Sequence, residues 1–380
     1  MRVPLRQRES RSTSANPVAH PVPLPRSLGA VLRIGFVGTG LIAWAHGLGL
    51  QAMIDAGVIE ADVSVVLDRS ARRAQGFAAA HGAEVVGDLN GLVERCDAVW
   101  VCTPTVAHRS AVDAALAGRR AIFCEKPLAT DFAGARALVD AVDAVGVPAQ
   151  SGLVLRSAPV FRALRALLVS GTLGRPMAAM VRDDQYFPIQ GTYASTWRAD
   201  VSVAGGGCLI EHSIHDLDIL RFCLGEVAGI SARTANFSGH ESIEDLAAVS
   251  LTFESGAEAH LTSVWHNIVS RGSTRRIELF CQDAMVWLDD EFRGPLHIQT
   301  SNGSEIRSCP PPAWVEDLPL GRDEVGLAVR TYAEADRAFV DAVVTGRAPE
   351  PSLHEALEAH RLVDAAYRSA DAGGVPIRLG

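Results

Sequence analysis

The sequence predicts an α/β protein: an N-terminal Rossmann domain on a doubly wound parallel sheet, then an α+β domain with a large open, mainly antiparallel sheet. Three observations carry this. The apolar run Val31–Val37 ends in the turn Gly38-Thr39-Gly40, which opens a helical stretch. Apolar runs and amphipathic stretches then alternate as far as about Val145, the signature of βαβ units. Beyond about Gly152 the chain turns to short β-rich segments separated by turn signals such as Ser255-Gly256 and Asn302-Gly303.

Taken in order, Val31–Val37 reads as a buried strand, Leu41 to about Gly57 as a helix and Val63–Leu67 as a strand closed by Asp68. Arg69–His81 is amphipathic, Asp97–Thr103 a third strand, and a helix lies around Ala107–Ala117. Ala121–Cys124 is a fourth strand closed by Glu125-Lys126-Pro127, before a helix from about Asp131 to Val145. Right-handed crossovers bring the strand C-termini to one edge, and with them Gly38, Asp68, Thr103 and Lys126. In the second half Met177–Tyr186, Val227–Ser238, Leu246–Phe253, Glu258–Trp265, Ile277–Leu288 and Leu296–Thr300 read as antiparallel strands. Helices fall at Val160–Ser170, Cys208–Leu224 and Leu353–Ser369. The expected division is 1–30 as a disordered extension, 31–152 as the Rossmann domain, 153–350 as the α+β domain and 351–380 as a helix packing back on the first domain.

Composition narrows the function. At 380 residues the chain is long enough for two or more domains. A net charge of −9 argues against a surface that grips phosphate backbones, so no nucleic-acid partner is expected. The seven cysteines are odd in number, scattered and without a C-x-x-C pair, which suits a reducing cytoplasm. No run approaches the ~18–20 apolar residues of a membrane helix. The first 30 residues are rich in Arg, Ser and Pro, with Glu9 the sole acid, and lack a signal-peptide centre. They read as a disordered extension or a misassigned start, with a transit peptide as the alternative.

Gly38-Thr39-Gly40-Leu41-Ile42-Ala43 fits G-x-G-x-x-G/A between strand and helix. The first glycine permits the tight turn, the second lets backbone approach a pyrophosphate, and the small Ala43 lets helix pack on strand. The helix start offers free N–H groups and partial positive charge to phosphates. Asp68, ending the next strand, suits the two hydroxyls of an adenosine ribose and favours NAD; Arg69 beside it would instead meet the 2′-phosphate of NADP.

The turn GFVGTG, Cys102-Thr103-Pro104, Glu125-Lys126-Pro127 and the segment Gly205–Gly225 (GGGCLIEHSIHDLDILRFCLG) together resemble the glucose–fructose oxidoreductase / inositol dehydrogenase family, Gfo/Idh/MocA, from Val31 to the end. The resemblance implies hydride transfer to or from a sugar, inositol or related polyol, and an open sheet that forms oligomer contacts, hence a homodimer or homotetramer. It also implies cofactor contacts from Thr103, Pro104, His108, Glu125 and Lys126 besides the glycine turn. Family members carry Asp-x-x-x-His on a helix of the second domain. Here those positions are Glu211 and His215, and glutamate for aspartate is a departure.

At ~100° per residue Glu211, His215 and Asp218 share one helix face. Histidine titrates near neutral pH and suits removal of a hydroxyl proton. His215 is therefore the expected base, oriented or tuned by Glu211, with Lys126 bonding the substrate oxygen and Pro127 cis to aim it. His212 and Asp216 face elsewhere and are not expected to be catalytic. No metal is expected, because Glu211, His212 and His215 lack the H-E-x-x-H spacing. Arg156 and Trp197-Arg198 read either as substrate contacts or as an interface ion pair and a core aromatic; Asp183, Asp184 and Tyr186 are weaker pocket candidates. Two alternatives accompany the resemblance: an NAD-dependent glycosidase working by transient oxidation, and a non-catalytic dinucleotide sensor, against which Lys126 and His215 both argue.

Overall fold

The computed structural model describes residues 31–380 except Arg293, so the expected N-terminal extension lies outside the described residues. The first sheet holds β1 (Leu32–Val37), β2 (Ala61–Leu67), β3 (Glu84–Val85), β4 (Ala98–Val101), β5 (Ala121–Cys124) and β6 (Ala149–Ser151), in the order β3-β2-β1-β4-β5-β6. Its pairings are parallel throughout. Between the strands run α1 (Leu41–Asp55), α2 (Ala71–His81), α3 (Leu89–Arg95), α4 (His108–Ala117) and α5 (Phe132–Val145). The strands are buried on both faces, as a parallel sheet under helices requires: Leu32, Ile34, Phe36, Trp100 and Phe123 are all sealed. Ser70, Asp88 and Asp131 cap α2, α3 and α5 by accepting the N–H of Arg73, Gly91 and Gly134.

The second unit adds α6 (Pro159–Val169), β7 (Pro176–Tyr186), α7 (Val201–Ala204) and α8 (Ile214–Leu224), then β8 (Val227–Ala235), β9 (Leu246–Phe253) and β10 (Glu258–His266). β11 (Thr274–Cys281), β12 (Ala284–Leu288), β13 (Leu296–Thr300) and β14 (Gly303–Arg307) follow, then α9 (Ala313–Glu316), α10 (Glu324–Thr345), α11 (Leu353–Asp371) and β15 (Ile377–Arg378). The nine strands are ordered β14-β13-β12-β11-β7-β10-β9-β8-β15. Alternating burial along β9, β10 and β11 shows one face packed and the other open.

Two expectations are corrected here. The pair β7–β10 is parallel, with Glu258 opposite Ala178 and His266 opposite Tyr186, because the chain leaves β7 through helices and returns by the meander β8–β9–β10. Ile277–Leu288 is two strands, turned at Gln282-Asp283, whose N–H groups bond the carbonyls of Arg175 and Leu173.

α10, which the periodicity reading lacks, packs beside α1 on a face of the first sheet. A methyl on Gly49 of α1 would meet Cβ of Ala333 at 3.2 Å. Phe339 packs edge-on against Trp100 and Phe123, at 5.2 and 5.7 Å between ring centres.

Candidate active site

The glycine turn after β1 is dictated by contact. Gly38 has φ +87, and a Cβ there would lie 2.6 Å from the carbonyl oxygen of Cys102. A Cβ on Gly40 would meet nothing within 4 Å, so the space above the start of α1 is open. Among the described residues no side chain caps that helix start, which leaves its first N–H groups available to an anion. Asp68 stands beside it: its Oδ2 accepts from the N–H and hydroxyl of Thr39 at 2.8 and 3.0 Å, its Oδ1 from the N–H of Ser70 and from Arg73 at 2.7 and 2.9 Å. Burial would raise the Asp68 pKa, but these donors, Arg73 foremost, hold it below the usual carboxylate range. A cleft of about 680 Å³ opens here, lined by Asp68, Arg69, Asp88 and Asn90 among others. Further along the strand edge, Thr103 Oγ1 is buried without a partner among the described residues, and the Thr103 carbonyl bonds His108 Nε2 at 3.0 Å. Leu41 and Ile42 form the first turn of α1. Open backbone, free helix N–H groups and a carboxylate at the next strand end fit a dinucleotide.

The strand-end triplet Glu125-Lys126-Pro127 contains a cis Lys126–Pro127 bond. Glu125 Oε1 meets His46 Nε2 at 3.0 Å, and His46 Nδ1 meets Asp336 Oδ1 at 2.7 Å. Trp100 donates to the same Asp336 oxygen at 2.9 Å. Burial disfavours the His46 imidazolium, yet Asp336 and Glu125 outweigh it and push its pKa up to about 10. Neither His46 nor Asp336 was signalled by the sequence reading.

The chain from Leu209 to Ser213 forms a π turn, not the expected α-helix, before α8. Such turns cluster at functional sites because they loosen the regular backbone ladder. The carbonyl of Glu211 is the group the lysine takes: Lys126 Nζ donates to it at 2.7 Å. Ahead of the turn, a Cβ on Gly207 would sit 1.8 Å from the Glu244 carbonyl oxygen, so this glycine run serves a close backbone approach. The Glu244 carboxylate accepts the N–H of Gly207 and Leu209 and the hydroxyl of Tyr367.

His215 is nearly buried and its Nδ1 has no partner among the described residues. Burial, then Lys126 and Arg275, hold its pKa well below the ordinary histidine value, so the ring is neutral at neutral pH. The Glu211 carboxylate does not bond it. One oxygen accepts from Thr105 at 3.0 Å, the other from Arg198 at 2.9 Å, which corrects the expected orienting contact. The π turn departs from the 100° spacing that placed Glu211 and His215 on one face.

Arg198 also stacks over Trp197, 4.4 Å from the ring centre. Arg156 bonds both oxygens of Asp218 at 2.8 and 2.6 Å and Glu355 at 2.8 Å. Asp184 pairs with Arg271 and Arg182, and the Tyr186 hydroxyl accepts from the N–H of Thr192. Asp216 is fully buried and held by Arg275. Among the described residues no cluster of three His, Cys, Asp or Glu is arranged to hold a metal, and no helix is long and apolar enough to cross a membrane.

The comparisons agree with this architecture. Residues 32–153 match the family described as GFO/IDH/MocA oxidoreductases with an NAD-binding Rossmann fold, and 161–287 match the GFO/IDH/MocA C-terminal domain. A 1,5-anhydro-D-fructose reductase of Ensifer adhaerens is 31% identical over 237 residues, 60% of this chain and 67% of that protein. An inositol 2-dehydrogenase of Rhizobium meliloti (strain 1021) is 28% identical, over 89% of this chain and 96% of that one. Levoglucosan dehydrogenase, solved in complex with NADH and levoglucosan, has the same fold: TM-score 0.82 at 20% identity, over 92% of this chain and 100% of that one. With nucleotide fold, strand-end lysine and second-domain sheet all in place, the chain belongs to the Gfo/Idh/MocA family of oxidoreductases and uses NAD.

Proposed function

We propose that this protein interconverts a secondary alcohol and a ketone on a sugar, inositol or related polyol. The observation that carries the reading is the junction of Lys126 with the π turn: an ammonium from the nucleotide domain reaches the helix that bears His215. When bound, NAD takes up or returns the hydride. The α1 start, Thr39 and Asp68 would hold its pyrophosphate and ribose, and Thr103, Pro104 and His108 would line its nicotinamide end. Arg69 is the counter-candidate that would admit NADP.

The chain's own residues then manage the oxygen and its proton. Burial lowers the Lys126 pKa against the pull of Glu211 and Glu125, which readies the group to give and share a proton with an alkoxide. Neutral His215 accepts the hydroxyl proton in oxidation and returns it in reduction. Arg198, fixed by Glu211 and stacked on Trp197, presents donors and an aromatic face to a polyhydroxylated ring. The names of the relatives, an inositol dehydrogenase and an anhydrofructose reductase, point to the same substrate class.

Seven unpaired cysteines fit the expected cytoplasmic setting. Met177, Met180 and Phe280, exposed on the open face of the nine-stranded sheet, fit a homodimer or homotetramer, which the molar mass in solution tests.

The decisive experiment is reduced-nicotinamide formation by the purified protein, with NAD and NADP separately, across inositols, free aldoses and ketoses, and anhydrosugars. Turnover with one class establishes the reading. Cofactor binding without turnover on any, or product formed from a glycoside with no net cofactor change, overturns it.

A further inference from the structure

Asp183 of β7 is fully sealed yet receives donors from several sides, the carboxyl of Asp216 among them, whose own pKa burial pushes up to about 8. His212 Nε2 lies 3.0 Å from Oδ1, Ser213 Oγ 2.8 Å from Oδ2, and the Arg275 guanidinium 3.2 Å away. Arg275 is itself buried and also holds Asp216 and Glu291. Arg275 and His212 outweigh the burial of Asp183 and keep it ionised.

An ionised carboxylate only accepts, so the nitrogen His212 turns to Asp183 carries the proton and Nδ1 keeps its lone pair. No protein group among the described residues bonds that Nδ1, and the side chain is 19% open while Asp183 is closed. Lys126, Arg275 and His215 are the charged or titratable groups around this ring besides Asp183, and the lysine acts electrostatically on both imidazoles.

The two histidines are built differently. Among the described residues no carboxylate bonds His215 and its Nδ1 is orphaned; Asp183 reaches it only through space, and a proton resting there would face both Lys126 and Arg275. His212 has the buried anion Asp183 behind it, whose pull opposes burial, Arg275 and Lys126, although these still hold its pKa below the ordinary histidine value. Its side chain is 19% open.

We propose that His212, held by Asp183, is the proton exit of the active site. The inference rests on the polyol oxidation proposed above. There, carbon gives up its hydrogen with two electrons as the hydride already assigned, and the hydroxyl proton goes to His215. The proton then moves from His215 to Nδ1 of His212, directly or across one water, while Nε2–H stays on Asp183. His212 finally releases it to solvent, so both rings return neutral and one proton appears per alcohol oxidised. In reduction the same path runs inward.

The test uses the full-length protein with bound NAD and myo-inositol, levoglucosan or whichever member of the panel the wild type oxidises. His212→Gln keeps an amide donor for Asp183 but cannot titrate; it should fold and bind NAD normally while kcat falls roughly 10²-fold. His212→Ala should lose turnover similarly and recover part of it as imidazole is added. Wild-type kcat in His212→Gln, or a loss in His212→Ala that imidazole does not touch, overturns the relay. A readout independent of turnover is the ¹⁵N spectrum of the histidines: His212 should be the Nε2–H tautomer in the wild type and lose that preference in Asp183→Asn. An Nδ1–H tautomer in the wild type overturns the proposal even if the enzyme is active. If the wild type oxidises nothing in the panel, the polyol reading fails, and the tautomer alone still reports whether the pair exists as described.

Discussion

His46 Nε2 lies 3.0 Å from Oε1 of Glu125, so the residue preceding Lys126 is tied to the middle of α1 through a fully buried imidazole. Because Asp336 of α10 takes the other ring nitrogen, one histidine joins a strand end and two helices. His46→Ala would leave two sealed carboxylates without their cation, a loss of about 3–5 kcal/mol. Its pKa is about 10 in the fold against ~6.5 for a free histidine, so its contribution is complete below pH 6.5 and declines as pH rises toward 10. Urea denaturation of wild type and His46→Ala between pH 6 and 10 checks both: the gap should narrow as pH rises.

Lys126→Ala removes the ammonium that bridges the nucleotide domain and the π turn. Turnover should fall ~10²-fold or more, with NAD affinity nearly unchanged, because the loss is felt where the substrate oxygen gains charge. Steady-state kinetics beside fluorescence titration of NADH separates the two.

Asp68 is saturated by Thr39, Ser70 and Arg73, of which Arg73 is the most exposed donor and the readiest to yield to a ribose. Asp68→Ala should weaken NAD more than NADP, measured as Kd for each; equal losses would remove Asp68 from the ribose contact.

Gly207→Ala forces a methyl into the Glu244 carbonyl, 1.8 Å away. Displacing that backbone disturbs the carboxylate that holds Gly207, Leu209 and Tyr367, so the melting temperature should drop by the equivalent of about 1–3 kcal/mol. Turnover should fall with it, since the same turn supplies the carbonyl that Lys126 bonds.

Arg156→Met breaks the pairs with Asp218 and Glu355. Thermal stability should fall while KM for the substrate stays within about twofold. A KM change of roughly 10-fold or more with unchanged stability would return Arg156 to the substrate site.

Much of the architecture was legible in the residues. β5, β9 and β13 begin and end where their apolar runs do, and the glycine turn stands between strand and helix. The missed elements had weak signals. β14 (GSEIR) is an exposed edge strand without an apolar pattern, and α3 is only seven residues long. α10 did carry signals, with Asp323 capping its start and Gly346 closing its end, but alanines and scattered polar residues blur its apolar face. The site was legible where motif and place coincide, as at Gly38, Asp68 and Lys126. It was illegible where partners are remote in sequence, as with His46 and Asp336, or where a period was assumed, as between Glu211 and His215.

The place of α10 has a consequence for biosynthesis. The aromatic wall of Trp100 and Phe123 and the Asp336 that completes the His46 pair wait on a helix made only after eight of the nine strands of the second sheet. At the usual ~5–20 residues per second, the nucleotide-binding half spends many seconds outside the ribosome with that wall bare and its histidine half-paired. A chain stopped before Glu324 would keep its cofactor motif intact and still lack the lid of its own core, leaving it a client for chaperones.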